Sequence, residues 1–309
     1  RLAGVQPGDE VLVPALTFVA TANAVSYCNA TPHFVDSDRQ TLGVAPERLR
    51  AYLDEVADRS NGETISRKTG RPLRAIIAMH AFGHPVDLDA LQAVCDDFDL
   101  VLVEDAAEAL GSTYKGRHVG AWGRLSTLSF NGNKTITTGG GGAILTNDPD
   151  LADKAKHLTT TAKVTHPWAY VHDEIGYNYR LPNINAALGC AQLEQLPAFL
   201  ERKRRLAHRY KEILAAVDGI RFVEEPTFAT SNYWLNAMML SSGLENERDA
   251  LLARTHDEGL LTRPVWRLMS SLPMYAECPR MDLQTAKRIE AALIILPSSP
   301  SLVPDHVEA

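Results

Sequence analysis

The most chemically suggestive residue is Lys134, which stands in Ser129-Phe-Asn-Gly-Asn-Lys134 shortly before the four consecutive glycines of residues 139–142. Glycine has no side chain to block its neighbours, so this stretch predicts a lysine amine in a crowded site. The phosphate loop of nucleotide triphosphatases needs glycine just before its lysine, but Asn133 stands there, and Ile144 replaces the third glycine of a dinucleotide-binding loop. Two interpretations remain: a surface lysine beside a glycine hairpin, or a lysine used for its nucleophilic amine.

A carboxylate that could work with such an amine follows a run of apolar residues. Residues 100–103 read Leu-Val-Leu-Val, which is typical of a fully buried strand, and Glu104 and Asp105 come directly after them. In parallel sheets ligands bind beyond the carboxyl ends of the strands, so these acids are predicted at a binding edge. A lysine that bonds to a pyridoxal cofactor also needs a carboxylate for the pyridinium nitrogen, and Asp105 is available. Asp105 is also placed to cap a helix, and the two roles are compatible.

Composition and charge limit the classes of protein to which this chain can belong. With 309 residues, 45% hydrophobic and 22% charged, it has enough apolar residues for a large core, and its length predicts one large domain plus a smaller one. The formal charge of −7 argues against a nucleic-acid partner, which needs a basic surface. No apolar run reaches the roughly 18 residues that cross a bilayer, so no membrane partner is expected. No signal peptide begins the chain, and we predict a cytoplasmic location.

The cysteine and histidine patterns predict no metal site. The four cysteines are far apart in the sequence and are interpreted as buried thiols in a reducing compartment: Cys28, Cys95, Cys190 and Cys278. His80 and His84 have the spacing of zinc ligands on a helix, but Gly83 and Pro85 disfavour a helix there. Both histidines are therefore interpreted as loop residues.

Segments typical of strands and helices alternate along the chain. Short apolar runs predict strands at residues 10–13, 32–35, 74–79, 100–103, 125–130 and 142–146. Helical spacing predicts helices at residues 18–27, 46–56, 88–98, 149–158 and 184–217, the last interrupted by Pro197. This alternation predicts an α/β fold, with a large domain at residues 1–217 built on a mostly parallel sheet and a smaller α/β domain at residues 218–309.

The motifs around these residues resemble those of a known family. They are Asp105-Ala-Ala-Glu108, the stretch from Ser129 to Lys134 with its glycines, Gly176-Tyr-Asn-Tyr-Arg-Leu181 and Asn185-Ala-Ala-Leu-Gly-Cys-Ala-Gln-Leu193. In this combination and order, the chain is similar over almost its whole length to the DegT-type sugar aminotransferases. The resemblance implies the aspartate aminotransferase fold, the cofactor pyridoxal 5′-phosphate, and transfer of an amino group to a ketosugar attached to a nucleotide.

The resemblance also implies roles for individual residues. Lys134 would bond to the cofactor and then carry a proton, and Asp105 would keep the pyridinium nitrogen protonated. Phe18 would stack on the cofactor ring, Ser129 would donate to its phosphate, and Glu108 stands near the phenolic oxygen, where family members frequently have glutamine or histidine. Asn178 and Arg180 would contact the cofactor phosphate of the neighbouring subunit, which implies a homodimer. The residues implied on the substrate side are His166, Trp168 and Arg263.

Finer features resemble one branch of this family. Residues 69–72, 79–85 and 158–168 are similar to enzymes of legionaminic acid and bacillosamine synthesis, which aminate C4 of UDP-4-keto-6-deoxy-N-acetylglucosamine, with L-glutamate as the implied donor. The alternatives are a GDP- or dTDP-linked ketosugar of the perosamine kind, a regulator that binds the cofactor without turnover, and an α/β protein with a purely structural role. Family members with histidine in place of the lysine act as dehydratases, so Lys134 favours transamination.

The beginning of the chain resembles the last turn of a helix, ended by Gly4, so we expect further chain before residue 1. Full-length family members carry a Gly-Thr-Ala turn there, whose backbone amides bind the cofactor phosphate. A protein made without that turn is expected to hold the cofactor weakly.

Overall fold

A computed structural model describes residues 1–60 and 62–303, in which strands and helices alternate. The strands are β1 (Glu10–Pro14), β2 (Thr31–Val35), β3 (Ala57–Ser60), β4 (Glu63–Ser66), β5 (Leu73–Met79), β6 (Val101–Asp105), β7 (Thr113–Tyr114), β8 (Arg117–His118), β9 (Leu125–Ser129), β10 (Gly142–Leu145), β11 (Ile220–Phe222), β12 (Ala229–Thr230), β13 (Asn236–Leu240), β14 (Arg263–Pro264) and β15 (Leu293–Leu296). The α-helices are α1 (Val19–Ser26), α2 (Pro46–Val56), α3 (Leu88–Asp97), α4 (Pro149–Thr159), α5 (Asn183–Leu214), α6 (Arg248–Asp257) and α7 (Gln284–Ala292). Short 3-10 turns lie at Ala81–Gly83, Glu245–Glu247, Met269–Ser271, Pro273–Tyr275 and Pro300–Leu302. The predicted α/β class is confirmed.

Local sequence explains how these helices begin and which face they bury. α2 starts with Pro46, at a position where the missing N–H would have no intrahelical acceptor in any case. Its buried residues recur at helical spacing: Leu49, Leu53 and Val56. Asp87 caps α3 by accepting a hydrogen bond from the amide of Ala90 at 3.2 Å. These signals are local, which is why the sequence predicts both helices at nearly the right residues.

The central sheet has six strands in the order β10-β9-β6-β5-β1-β2. Its neighbouring strands are parallel except for β9 and β10, which pair antiparallel. Asp105, at the end of β6, stands between Met79 of β5 and Thr127 of β9 in the register. Because β1, β6 and β9 run in one direction, the segments that follow them leave the sheet at the same edge, which we call the carboxyl edge.

Helix α5 runs without a break from Asn183 to Leu214, so the predicted interruption at Pro197 is wrong. A proline inside a helix removes one N–H and crowds the preceding turn, which costs about 3 kcal/mol. Burial of apolar side chains beyond the proline, at Leu206 and Ala207, offsets this cost. Lys203 is buried and its ammonium group donates to the carbonyls of Trp234 at 3.0 Å and Ser298 at 2.8 Å.

A second sheet, of four strands in the order β11-β13-β15-β14, is built from the later part of the chain. One face of this sheet is continuous with the main core, since Leu293 and Ile295 of β15 belong to the same buried cluster as Leu12 of β1. Met238, Ile294 and Leu296 form a separate buried cluster. The predicted domain boundary between residues 217 and 218 stays a proposal. The start of β11 at Ile220, after the end of α5, supports it.

Two further predictions concern the cysteines and membranes. The cysteines are free, but the expectation that all four are buried is wrong: Cys95 is buried, Cys190 is exposed, and the others are half-buried. Cys190 is exposed because it lies on the first half of α5, most of whose side chains face solvent. In the described parts of the chain, no helix has both the length and the apolar character required to span a membrane.

Candidate active site

The carboxyl edge brings three of the predicted residues close together. Phe18 directly precedes α1, Asp105 ends β6, and Lys134 lies in the turn after β9. Thr21 connects the first two, because its amide donates to the carbonyl of Phe18 at 3.1 Å and its hydroxyl donates to Asp105 Oδ2 at 2.8 Å. The ring of Phe18 is 52% exposed, so one face of an aromatic ligand could lie against it.

Asp105 is half-buried and has hydrogen-bonding capacity to spare. Its Oδ1 accepts from the amide of Ala107 at 3.2 Å, which stabilises a turn. The following residues form turns, so the predicted role as a helix cap is wrong. An ionised carboxylate offers about four lone-pair positions, and the bonds from Thr21 and Ala107 occupy two of them. Asp105 can therefore accept a further hydrogen bond from a ring N–H.

The amine of Lys134 lies against a buried acid and an indole ring. Its Nζ is 3.5 Å from Glu108 Oε1 and 4.2 Å from the ring centroid of Trp234. The side chain is only 12% exposed, so the interpretation as a surface lysine is wrong. The turn is closed by the amide of Lys134, which donates to the carbonyl of Asn131 at 3.1 Å.

Glu108 is buried and its protonation, which the sequence leaves open, follows from its surroundings. Burial is the main cause that raises the pKa of its carboxyl, the Lys134 ammonium and the amide of Phe82 oppose the rise, and the nearby Asp105 carboxylate adds to it, so that the pKa is about 8. Phe82 donates to Oε2 at 2.9 Å. The carboxyl of Glu108 therefore keeps its proton to a higher pH than an exposed glutamate does, and its Oε1 lies 3.5 Å from Lys134 Nζ.

Ser129, at the end of β9, is half-buried. Its Oγ accepts from the amide of Asn131 at 3.3 Å, which leaves the hydroxyl proton for another acceptor. A phosphate oxygen is a suitable acceptor for such a group. Its predicted role stays a prediction.

The other predicted residues lie away from this cluster. Asn178 and Arg180 are exposed and contact each other at 3.5 Å. Arg180 lines a groove of about 1050 Å³ beside β10. His166 and Trp168 are also exposed and pack ring against ring, with centroids 5.0 Å apart. Among the described residues, no hydrogen bond or ion pair joins these four side chains to Asp105 or Lys134, and their roles stay predictions.

Arg263 lies in β14 of the second sheet and is exposed. Its guanidinium donates to the carbonyl of Thr262 at 2.8 Å and lies 3.0 Å from the ring of His256. Both contacts are with residues close to Arg263 in the sequence. Within the described chain, no hydrogen bond or ion pair joins Arg263 to Lys134 or Asp105, and its substrate role also stays a prediction.

His80 and His84 occupy two different buried environments. His80 Nε2 pairs with Glu104 at 3.1 Å, and its Nδ1 accepts from the amide of Val86 at 3.2 Å. His84 packs edge-on against Tyr233, and burial lowers the pKa of its imidazole to about 4. They lie at the start and the end of a 3-10 turn, which agrees with their interpretation as loop residues.

Sequence patterns do not reveal three residues of the site. Thr21 lies one helical turn after Phe18, and that spacing is the one signal that could have found it. Asn232 and Trp234 reach the lysine turn from a distant segment without a periodic pattern.

These residues fit pyridoxal 5′-phosphate by the chemistry of their groups. The fit rests on a half-buried carboxylate with free acceptor positions, a shielded primary amine and a half-exposed aromatic ring at one sheet edge. Asp105 would hold the pyridinium nitrogen, Lys134 the aldehyde carbon and Ser129 the phosphate. Phe18 would cover the ring.

Comparisons with known proteins agree with this fit. The model of the DegT/DnrJ/EryC1/StrS aminotransferase family matches residues 1–309. GDP-perosamine synthase of Escherichia coli O157:H7 is 39% identical over 304 residues, which are 98% of this chain and 78% of that protein. GDP-perosamine synthase of Caulobacter vibrioides is 36% identical over 307 residues, which are 99% of this chain and 78% of that protein. The solved structure of the aminotransferase TlmJ from Streptoalloteichus hindustanus has a TM-score of 0.86 at 30% identity, covering 98% of this chain and 77% of that one.

These similarities confirm the predicted fold, cofactor and enzyme class, and they set aside the alternatives of a regulator and of a purely structural protein. They do not support the predicted legionaminic acid and bacillosamine branch, because the relatives are named for perosamine and GDP. The chain belongs to the DegT/DnrJ/EryC1/StrS aminotransferase family and is a pyridoxal-phosphate-dependent nucleotide-sugar aminotransferase.

Proposed function

We propose that this enzyme transfers an amino group from L-glutamate to C4 of a GDP-linked 4-keto-6-deoxysugar. The observation that carries this proposal is the shared name of the two relatives, each a GDP-perosamine synthase similar over almost the whole chain. The geometry supports it because an amine, a carboxylate and a buried acid meet at one sheet edge. Amino transfer requires such a set, since a proton must leave one carbon and reach another.

Each residue of the cluster has a part in this reaction. Pyridoxal phosphate, when bound, supplies an electron sink for the carbanion formed at the reacting carbon. Lys134 Nζ takes the proton from the carbon of the amino acid and later delivers one to C4 of the sugar. Asp105 would hold the ring nitrogen, and Glu108, whose raised pKa favours its protonated form, lies beside the lysine.

Burial of the amine supports this role. With 12% of its side chain exposed, Lys134 is largely shielded from bulk water. A shielded base exchanges its proton with the substrate carbon rather than with solvent, and electrostatic interactions around it are strengthened.

The UDP-linked sugar predicted from residues 69–72, 79–85 and 158–168 becomes the second candidate. Its support is limited to those local sequence features, whereas the similarity to the GDP-perosamine synthases extends over nearly the whole chain. We therefore prefer the GDP-linked sugar, which is one of the alternatives that the sequence leaves open.

A substrate panel tests the nucleotide. The enzyme is incubated with L-glutamate and, separately, the GDP-, UDP- and dTDP-linked 4-keto-6-deoxysugars, and the aminosugar is measured by mass spectrometry. We expect kcat/KM for the GDP sugar to exceed the others by about 100-fold or more, because a site that hydrogen-bonds one base discriminates strongly against another. A higher kcat/KM with the UDP sugar would contradict the proposed GDP-linked substrate and favour the UDP-linked one.

We also propose that two copies form a homodimer with shared active sites. Several apolar side chains between residues 168 and 184 are at least 80% exposed: Trp168, Tyr170, Ile175 and Ile184. Exposed apolar side chains grouped in one stretch mark an interaction surface. Asn178 and Arg180 lie within this stretch, which supports their proposed contact with the cofactor phosphate of the neighbouring subunit.

A further inference from the structure

A buried segment from the later part of the chain reaches the lysine turn. Residues 231–234, which we call the clamp segment, are 0%, 1%, 7% and 7% exposed in order. Its hydrogen bonds reach both sides of Lys134 in the sequence, at Asn133 and Thr135. The clamp segment thus holds the lysine turn on both sides of Lys134 in the sequence.

Trp234 makes two separate contacts with the lysine turn. Its indole N–H donates to the carbonyl of Asn133 at 2.8 Å, and its ring centroid is 4.2 Å from Lys134 Nζ. The first contact fixes the backbone just before the lysine. The second places an aromatic face against the amine, an arrangement that attracts a cation electrostatically.

Asn232 sets the position of Trp234 and also holds the residues around Glu108. Its Oδ1 accepts from the amide of Trp234 at 2.8 Å, and its Nδ2 donates to the carbonyl of Glu108 at 2.9 Å. The same amide group reaches Thr135 Oγ1 at 3.3 Å. A Cβ added at Gly83 would be 1.8 Å from Asn232 Oδ1, so the side chain of Asn232 packs directly against this glycine.

We propose that Trp234 is a positioning residue for Lys134, whose ring face holds the amine beside Glu108 while its N–H fixes the turn, with Asn232 setting the ring's orientation. The proposal rests on Lys134 being the reacting amine and is independent of which sugar is used. It predicts that the ring face, more than the N–H, controls access to the amine.

The test measures amine reactivity in the cofactor-free protein. The protein is treated with a low concentration of acetic anhydride, and the acetylation of each lysine is followed by peptide mass spectrometry. Trp234→Leu removes both contacts, whereas Trp234→Phe removes the N–H and keeps an aromatic face. We expect Trp234→Leu to increase the acetylation rate of Lys134 by roughly tenfold and Trp234→Phe to change it by less than about twofold.

Two other lysines serve as internal controls. Lys154 is exposed on α4 and reports reagent dose. Lys203 donates to the carbonyl of Trp234 at 3.0 Å, so its acetylation reports opening of the clamp segment itself. Tyr27→Leu removes an aromatic ring that is 82% exposed, and we expect it to leave Lys134 unchanged.

The outcomes separate positioning from general loosening. Faster labelling of Lys134 alone in Trp234→Leu, restored in Trp234→Phe, supports the proposal. Equal labelling of Lys134 in the wild type and Trp234→Leu overturns it, as does a parallel rise at Lys203 in both variants. Because neither sugar nor cofactor is present, failure of the proposed GDP substrate does not affect this result.

In the complete enzyme the same variants give a second readout. A lysine held out of position slows proton transfer without weakening ground-state binding, so Trp234→Leu is expected to lower kcat by about tenfold with KM for glutamate little changed. Trp234→Phe should restore most of kcat. A change in KM alone would contradict a positioning role.

Discussion

The buried and exposed sides of the site are held in place by different kinds of contact. On the buried side, hydrogen bonds join residues far apart in sequence: Thr21 to Asp105 across 84 positions, Trp234 to Asn133 across 101 and Asn232 to Glu108 across 124. On the exposed side the predicted site residues make only short-range bonds, two positions for Arg180 to Asn178 and three for Ala169 to His166. The longer bond there, from Arg1 to the carbonyl of Ile175 across 174 positions, joins the segment to the start of the chain and not to the cluster around Lys134.

This difference indicates which half of the site the fold itself determines. Residues joined by long-range contacts in the core cannot move independently, so the amine, the acids and the indole are already organised for proton transfer. Among the residues that the structure describes, no hydrogen bond or ion pair joins the side chains of His166, Trp168, Asn178 or Arg180 to that cluster, so we expect a ligand or a second subunit to complete their contacts. Substitutions on the two sides should therefore have effects of different kinds and sizes.

The largest effect is expected from Lys134→Ala. It removes both the group that bonds to the cofactor and the group that moves the proton, so we expect kcat/KM to fall by more than about 1000-fold. Aminosugar formation measured by mass spectrometry gives the rate. Borohydride reduction of the loaded enzyme followed by peptide mapping should label Lys134 in the wild type.

Lys154→Ala, at an exposed position, provides the matched control and should retain full activity. If borohydride labelled another lysine, or if Lys134→Ala kept more than a small fraction of its activity, the buried side would not be the reacting side.

Asp105→Asn should have the next largest effect. The amide keeps an oxygen that can accept from Thr21 but loses the charge that keeps a ring nitrogen protonated, and we expect kcat to fall by about 100-fold. The absorbance of the bound cofactor should change as well. Asp54→Asn, on the exposed face of α2, controls for the loss of a negative charge elsewhere. Wild-type kcat in Asp105→Asn would show that this carboxylate does not act on the cofactor.

Protonation of Glu108 makes the free energy of unfolding depend on pH. Its pKa rises from 4.5 in the unfolded chain to about 8 in the fold, so between these values the folded state binds more protons. The free energy of unfolding must then decrease as pH rises through this window. Glu108→Gln removes the titration, and we expect its stability relative to wild type to improve by about 3 kcal/mol between pH 5.5 and 8.

Urea unfolding of the cofactor-free protein at the two pH values measures this change. Glu194→Gln, at an exposed position of α5, should show no such improvement. A constant difference between Glu108→Gln and wild type would mean that Glu108 is already ionised at low pH, and the buried side would then contain a permanent ion pair.

The same distinction explains what the sequence could and could not predict. Asp105 and Lys134 were predictable because a short apolar strand, a turn and a glycine run are local signals, and parallel strands bring their ends to one edge. Trp234 and Asn232 were not, since their contacts with the lysine turn depend on tertiary packing. The interruption at Pro197 was predicted from a local rule, which the burial of Leu206 and Ala207 later in the same helix overrides.

The smallest effect on the fold is expected from Arg180→Ala, on the exposed side. Its side chain contacts only its neighbour Asn178 among the hydrogen bonds found in the described chain, so the free energy of unfolding should change by less than about 0.5 kcal/mol. Cofactor affinity should nevertheless weaken by about tenfold if the guanidinium binds the phosphate of the neighbouring subunit. Urea unfolding and cofactor titration measure the two quantities separately.

Mixing variants shows to which subunit this arginine contributes. When Arg180→Ala and Lys134→Ala subunits are refolded together at limiting cofactor, each mixed dimer has one site in which both residues are intact if sites are shared. An equal mixture should then recover about a quarter of wild-type activity, because about half of the dimers are mixed. If Arg180 served its own subunit, each site would lack one of the two residues and mixing would restore nothing. Recovery would therefore show that the exposed side is completed by association, whereas the buried side is complete within one chain.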